Sequence, residues 1–161
     1  MFDEVGVAVP KPSPSRPLRL EDFLSLSRIL TGVENLDAAL GREYLNRLTG
    51  TTFGAPLRQL MEKFRALGNE PTTELVQQQV LADDALRPTV CQIILLWYTS
   101  GMQDPKDPMA PTIMHYGTQE EYFSALGWRL IGAHVPGLSG GYFGHWRYRP
   151  ENEPAETKDE A

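Results

Sequence analysis

The segment from Gly137 to Gly141 resembles a catalytic motif more than any other part of the sequence. Its residues, Gly-Leu-Ser-Gly-Gly, match the G-x-S-x-G pattern around a nucleophilic serine. Enzymes with this pattern place the serine on a turn between a strand and a helix, and their acid and histidine follow later in the chain. No strand pattern precedes Ser139, and His145 follows it too closely to be that histidine. The glycines favour a flexible turn. A stand-alone small hydrolase that uses Ser139 and His145 is therefore the alternative hypothesis.

Metal, acid–base and nucleotide chemistry have little support in the sequence. The histidines His115, His134 and His145 lack the paired spacing of a metal site, and no cysteine is near them. The carboxylate pairs Asp83-Asp84 and Glu120-Glu121 fall at helix ends or on faces expected to be solvated. Neither G-x-G-x-x-G nor a P-loop occurs. We expect no catalytic residue, no metal and no cofactor in this chain.

Composition predicts one soluble domain with a sizeable core, since the 161 residues are 41% hydrophobic and 22% charged. The net charge of −6 argues against nucleic acid and, more weakly, against anionic membrane surfaces. The longest apolar run, Val90 to Tyr98, contains Gln92 and is too short for a membrane span. The single cysteine, Cys91, lies in this run, and we expect it to be buried and inert. Met1 to Gly6 does not resemble a secretory signal.

Apolar residues recur at helical spacing between two segments of different character. The expected helices run from Leu20 to Leu30, from Asn35 as N-cap to Gly50, from Pro56 to Gly68, from Thr72 or Thr73 through Val80, from near Pro88 to about Thr99, and from Thr118, with Glu121 completing a capping box, through Ile131. The helix near residues 88–99 is apolar nearly all round, which predicts that it is the most buried one. No alternating strand pair is expected.

The fold class that follows is all-α, a small irregular bundle of about six helices. An extended Pro-rich arm is expected over residues 1–19, the helical domain over residues 20–150, and an acidic tail over residues 151–161. The end of the helical domain is rich in glycine and aromatic residues.

Two aromatic groups indicate a binding role. Trp97 and Tyr98 end the most apolar helix and suit the core, whereas the aromatic residues from Tyr142 to Tyr148 are hard to bury together in a small bundle. Trp, Tyr and Arg are enriched at the energetic centres of protein interfaces. The candidate partner-binding residues are Tyr142, Phe143, His145, Trp146, Tyr148, Trp97 and Tyr98.

A family resemblance rests on several motifs in a fixed order. They are Phe23-x-x-Leu26-Ser27-x-x-Leu30-Thr31-Gly32, Leu36-Asp37 with Leu40, Leu95-x-Trp97-Tyr98-x-x-Gly101, Pro136-Gly137, and Gly144-x-Trp146-x-x-x-Pro150. In this order the chain resembles the small subunit of FAD-dependent sugar dehydrogenase complexes, a family that includes the small subunits of sorbitol, fructose and bacterial glucose dehydrogenases. The resemblance covers about Phe23 to Pro150.

The resemblance implies a non-catalytic accessory subunit. Such a subunit binds, stabilises and helps to mature a large catalytic subunit, which holds FAD and oxidises the sugar, and in many members it carries the folded partner across the membrane. A multihaem c-type cytochrome often completes the complex. The implied location is the periplasm or the periplasmic face of the inner membrane, but the lack of a signal pattern leaves the cytoplasm open, as in some glycoside 3-dehydrogenases. The sugar itself is not indicated, because its contacts would lie on the large subunit.

Overall fold

Amphipathic helices make up most of the chain that the computed structural model describes, which is residues 17–69, 71–103, 114–133 and 135. The helices are α1 (Leu20–Thr31), α2 (Ala38–Thr49), α3 (Gly54–Ala66), α4 (Thr73–Val76) with a π-helical continuation (Gln77–Leu81), α5 (Arg87–Thr99), α6 (Gln119–Phe123) and α7 (Leu126–Ile131). The prediction of a mainly helical small domain is confirmed. The acidic tail and most of the Pro-rich arm lie outside the described residues, so the predicted domain boundaries stay predictions.

The core lies where α1, α2, α3 and α5 meet. Its largest fully buried side chains include Phe23, Tyr44 and Trp97, and the rings of Tyr44 and Trp97 meet edge to face with centroids 5.0 Å apart. Gly41 brings α2 close to this centre, because a Cβ atom there would lie 2.6 Å from Leu24 Cδ2. Burial of these large apolar side chains is the main favourable term in the folding of such a bundle.

Most helix ends lie where the sequence predicts them, and one predicted N-cap is wrong. Thr72 caps α4, and Gly32 ends α1 in the left-handed conformation, as expected. The N-cap of α2 is Asp37 rather than Asn35: Asp37 Oδ1 accepts from the backbone N–H groups of Ala39 and Leu40 at 2.7 and 3.0 Å. Asp37 directly precedes the first helical residue, so its carboxylate reaches these donors.

The helix α5 packs one side against the core, which corrects the expectation that Cys91 is buried. Its side toward the core carries Ile93 and Trp97, whereas Cys91 is exposed and Tyr98 is half-buried. Both sides of this helix are apolar in sequence, so periodicity alone did not distinguish the covered side from the outer one. Gln92, the polar interruption, is buried and holds the chain after the helix: its amide donates to Gly101 O at 3.0 Å.

The region after α5 also differs from expectation. The strands β1 (Gly101–Met102) and β2 (His115–Tyr116) form a short antiparallel pair, although no strand pair was predicted. The last predicted helix is divided into α6 and α7. Thr118 caps α6 by accepting from the N–H of Glu121, as predicted, but the Glu121 carboxylate pairs with Arg47 from α2.

Ser100 combines backbone strain with a buried hydroxyl group that lacks a partner among the described residues. Its φ of +54° is in the left-handed region that disfavours side chains, and its buried Oγ has no hydrogen-bond partner among the described residues. We expect Ser100→Gly to raise the free energy of unfolding by about 1 kcal/mol, because relief of both costs outweighs the greater entropy of the unfolded chain. Urea unfolding followed by circular dichroism measures the change.

Ser100→Ala is the matched control for this prediction. It removes the hydroxyl group but keeps the left-handed strain, so its stability should lie between those of the wild type and Ser100→Gly. A loss of stability in Ser100→Gly would show that packing of this side chain matters more than its strain.

Candidate functional site

The candidate partner-binding residues of the sequence divide into two groups. Tyr142, Phe143, His145, Trp146 and Tyr148 lie outside the described residues, as does Ser139. Trp97 is only 1% exposed and belongs to the core. Tyr98 is half-buried, and its hydroxyl donates to Thr31 O at 2.9 Å. Of the two described candidates, Tyr98 is therefore the one that reaches the surface.

Tyr98 lies within an apolar surface that α7 and its neighbours form. We call this surface the α7 face and define it by Tyr98, Tyr116, Tyr122, Trp128, Leu130 and Ile131. One depression in it, of about 280 Å³, is lined by Tyr98, Thr99, Tyr116, Tyr122, Gly127, Trp128 and Ile131. A second depression, of about 380 Å³, is lined by Val33, Glu34, Asn35, Tyr98, Leu126, Arg129 and Leu130. Tyr98 contributes to both depressions.

Three large apolar or aromatic side chains of the α7 face are mostly exposed to solvent. Tyr116 is 58% exposed, Leu130 is 73% exposed and Ile131 is 67% exposed. Scattered single apolar residues are common on protein surfaces, but these lie beside two depressions with largely apolar walls. A clustered apolar surface of this kind is typical of a binding site for another protein or for a membrane.

Ring contacts and hydrogen bonds fix the aromatic part of the α7 face. The ring of Tyr122 meets those of Tyr116 and Trp128 edge to face, with centroids 5.9 and 5.2 Å apart. Trp128 Nε1 donates to Tyr122 O at 2.9 Å. Gly127 allows α7 to lie against the end of α5, because a Cβ atom there would be 2.5 Å from Tyr98 O. The surface is therefore ordered before any partner binds.

Arg47 on α2 holds the elements beneath this surface together. Its Nη1 donates to Glu121 Oε2 at 2.8 Å and to Ser100 O at 3.1 Å, and its Nη2 donates to His115 O at 3.1 Å. These bonds join α2 to the end of α5, to β2 and to α6. Gly117 leaves room for the Glu121 carboxylate, since a Cβ atom at Gly117 would overlap it.

The Arg47–Glu121 pair is largely shielded from water, which makes its electrostatics strong. Glu121 is 7% exposed, and the ordinary dielectric screening of a surface pair is reduced there. Burial, followed by the negative charge of Glu121, raises the pKa of the nearby Tyr44 hydroxyl well above its usual range, although Arg47 opposes the shift. The Tyr44 hydroxyl group therefore stays neutral at physiological pH.

Two other carboxylates considered for acid–base chemistry, those of Asp83 and Asp84, take part in ion pairs. Asp83 pairs with Lys63, whose hydrogen bond is the largest cause that lowers the pKa of this exposed carboxyl group. Asp84 pairs with Arg87. Among the described residues, no group of three or more His, Cys, Asp or Glu side chains could hold a metal ion. Nor is any helix in the described part of the chain long and apolar enough to cross a membrane.

Sequence reasoning did not identify the α7 face. Its residues Tyr122, Trp128, Leu130 and Ile131 were assigned to one long helix. At about 100° per residue, Leu126 and Trp128 lie on nearly opposite sides of the α7 axis with Ile131 between them, so one core cannot cover all of these side chains. This broad apolar arc was the available signal for an exposed apolar surface.

The Arg47–Glu121 pair generates a stability prediction. We expect Arg47→Met to lower the free energy of unfolding by about 3 kcal/mol, because it leaves the buried Glu121 carboxylate without its cation. The double variant Arg47→Met/Glu121→Gln should recover part of this loss. Urea unfolding at neutral pH measures each value.

The control for this prediction is Arg42→Met, which removes an exposed arginine from the same helix and should change stability little. Equal effects of Arg42→Met and Arg47→Met would contradict the role assigned to the pair.

Comparison with known proteins supplies the family. A family model described as membrane-bound FAD-containing D-sorbitol dehydrogenase matches residues 4–136. A search of curated proteins finds no match. The matched span includes the whole α7 face and ends before Tyr142, so the resemblance is confirmed up to residue 136, and its extension to Pro150 lies outside the match. Because the match covers well over half of the 161 residues, the chain belongs to the family of membrane-bound FAD-containing D-sorbitol dehydrogenase.

Proposed function

We propose that this chain is the accessory subunit of an FAD-containing sugar dehydrogenase complex and that it binds, stabilises and helps to mature the catalytic subunit. The family match over residues 4–136 is the observation that carries the proposal. The exposed apolar side chains of Leu130 and Ile131 support it, since an accessory subunit needs a surface that its partner covers.

The described residues do not form a dinucleotide site of the parallel-strand type, and in our proposal the flavin lies in another chain. Dinucleotide sites are built on parallel strands with a Gly-rich turn that leads into a helix. The described residues contain one strand pair, Gly101–Met102 with His115–Tyr116, and it is antiparallel. In our proposal the partner supplies the flavin, the polyol or sugar site and the redox chemistry.

The finer features of the proposal follow from the resemblance given above. The chain would co-export its partner and act on the periplasmic side of the membrane, where a c-type cytochrome subunit would accept electrons. The aromatic residues Tyr142, Phe143, His145, Trp146 and Tyr148 would add contacts to the partner.

Co-expression tests the proposal. We expect the tagged chain to retain a flavoprotein through affinity and size-exclusion steps, with flavin absorbance and polyol-dependent reduction of an artificial acceptor in the same fraction. Without this chain, the yield of FAD-loaded catalytic subunit should fall, because its binding surface and folding partner are missing. A catalytic subunit that is equally abundant, loaded and active alone would contradict the proposal.

The C-terminal aromatic residues provide a separate prediction. We expect Trp146→Ala or Tyr142→Ala to weaken the complex by about 2 kcal/mol, the size typical of an interface hot spot. Co-purification yield and the melting temperature of the complex report the change. Values equal to the wild type for both variants would remove these residues from the interface. Hydrolysis of esters or glycosides by the isolated chain, abolished by Ser139→Ala, would instead favour the hydrolase alternative.

A further inference from the structure

The α7 face is the feature that the packing of the bundle does not account for. The side chains of Leu130 and Ile131 contribute little to the core, since about two thirds or more of each is exposed. Apolar side chains in water favour association and lower solubility. Their position beside the two ordered depressions therefore requires another explanation.

We propose that the α7 face is the docking surface for the catalytic flavoprotein subunit. In this arrangement Leu130 and Ile131 pack against the partner, and apolar side chains of the partner fill the two depressions beside Tyr98. The inference rests on the proposed function, because it assigns a location to the association that the proposed function requires.

The family match favours this partner over other occupants. The family is described by a flavin-dependent activity, the described residues form no dinucleotide site of the parallel-strand type, and in the proposed function a second chain holds the flavin. The match extends through α7 and ends at residue 136, whereas the aromatic residues from Tyr142 to Tyr148 lie outside it. The segment that the family model covers thus contains every residue of the α7 face.

The charges around the α7 face favour a protein over a lipid surface. The second depression is bordered by one acidic and one basic residue, Glu34 and Arg129, and the exposed Glu120 lies on the adjacent α6. Segments that insert into membranes usually surround their apolar residues with lysine and arginine. An apolar centre with a rim of mixed charge is the arrangement found in protein–protein interfaces.

The aromatic side chains are held in fixed positions, which suits a tight interface. The hydroxyl of Tyr98 is bonded to Thr31 O, and the indole of Trp128 is bonded to Tyr122 O. Their rotamers are therefore fixed when the chain folds, so association loses little further side-chain entropy. Rigid aromatic residues beside exposed aliphatic ones are typical of hot spots.

The test compares charge insertion on and off the α7 face. Leu130→Asp and Ile131→Asp, singly and together, are co-expressed with the catalytic subunit, and Gln78→Asp is the matched control because it adds the same charge at another exposed helical position. Leu130→Gln and Ile131→Gln repeat the test without a charge. The thermal unfolding midpoint of each variant chain checks that its fold is intact, as we expect for exposed positions.

We expect the double aspartate variant to weaken the complex at least 30-fold in a titration of the catalytic subunit, and Gln78→Asp to leave it unchanged. If the wild type binds and the double variant binds equally well, the α7 face is not the docking surface, although the proposed function stands. If the wild type itself retains no flavoprotein, the proposed function fails, and this inference fails with it.

Two further readouts separate the other occupants. One readout is flotation with vesicles of phosphatidylethanolamine and phosphatidylglycerol, and the other is dimer formation by this chain in light scattering. The inference is overturned if the double aspartate variant loses vesicle binding or dimer formation but still binds the catalytic subunit. Loss of the complex in Trp146→Ala or Tyr142→Ala, without loss in the α7 variants, would overturn it as well. Loss confined to the α7 variants would support it.

Discussion

The contact between Arg47 and the buried Glu121 carboxylate is the interaction on which the outer part of this fold depends. Through one guanidinium group, α2 is joined to the end of α5, to β2 and to α6. An ion pair removed from water is stable only when its remaining donors and acceptors are also satisfied, and Arg47 meets this need through two backbone carbonyl groups. In the aromatic cluster, Tyr116 lies on β2 and Tyr122 lies on α6, two elements that Arg47 joins to α2. Trp128 lies on α7, the next helix.

The surface above this contact links the structure to its family. A small bundle needs its apolar side chains in the core, but Leu130 and Ile131 remain in water while hydrogen bonds hold Tyr98 and Trp128 in place. The cost of such exposure is understandable if a partner covers the surface. Membership of a family with a flavin-dependent activity, in a chain whose described residues form no dinucleotide site of the parallel-strand type, is consistent with that explanation.

Sequence periodicity predicted the helical core well because the apolar spacing of α1, α2 and α3 has one interpretation. It was less informative for α5, whose outer side is apolar as well, so Cys91 was wrongly expected to be buried. Arg47 could not be paired with Glu121 from sequence, because the two residues are 74 positions apart and meet only through tertiary folding. The α7 face was missed for the related reason that exposure of Ile131 depends on what α7 packs against.

An electron cryomicroscopy map of the complex that co-purifies with this chain would test the account most directly. The account predicts that Leu130 and Ile131 are buried against a flavoprotein subunit, that side chains of this partner fill the depressions beside Tyr98, and that the flavin is bound within that subunit. A complex in which the α7 face is open to solvent, or in which this chain itself supplies the flavin-binding site, would contradict it.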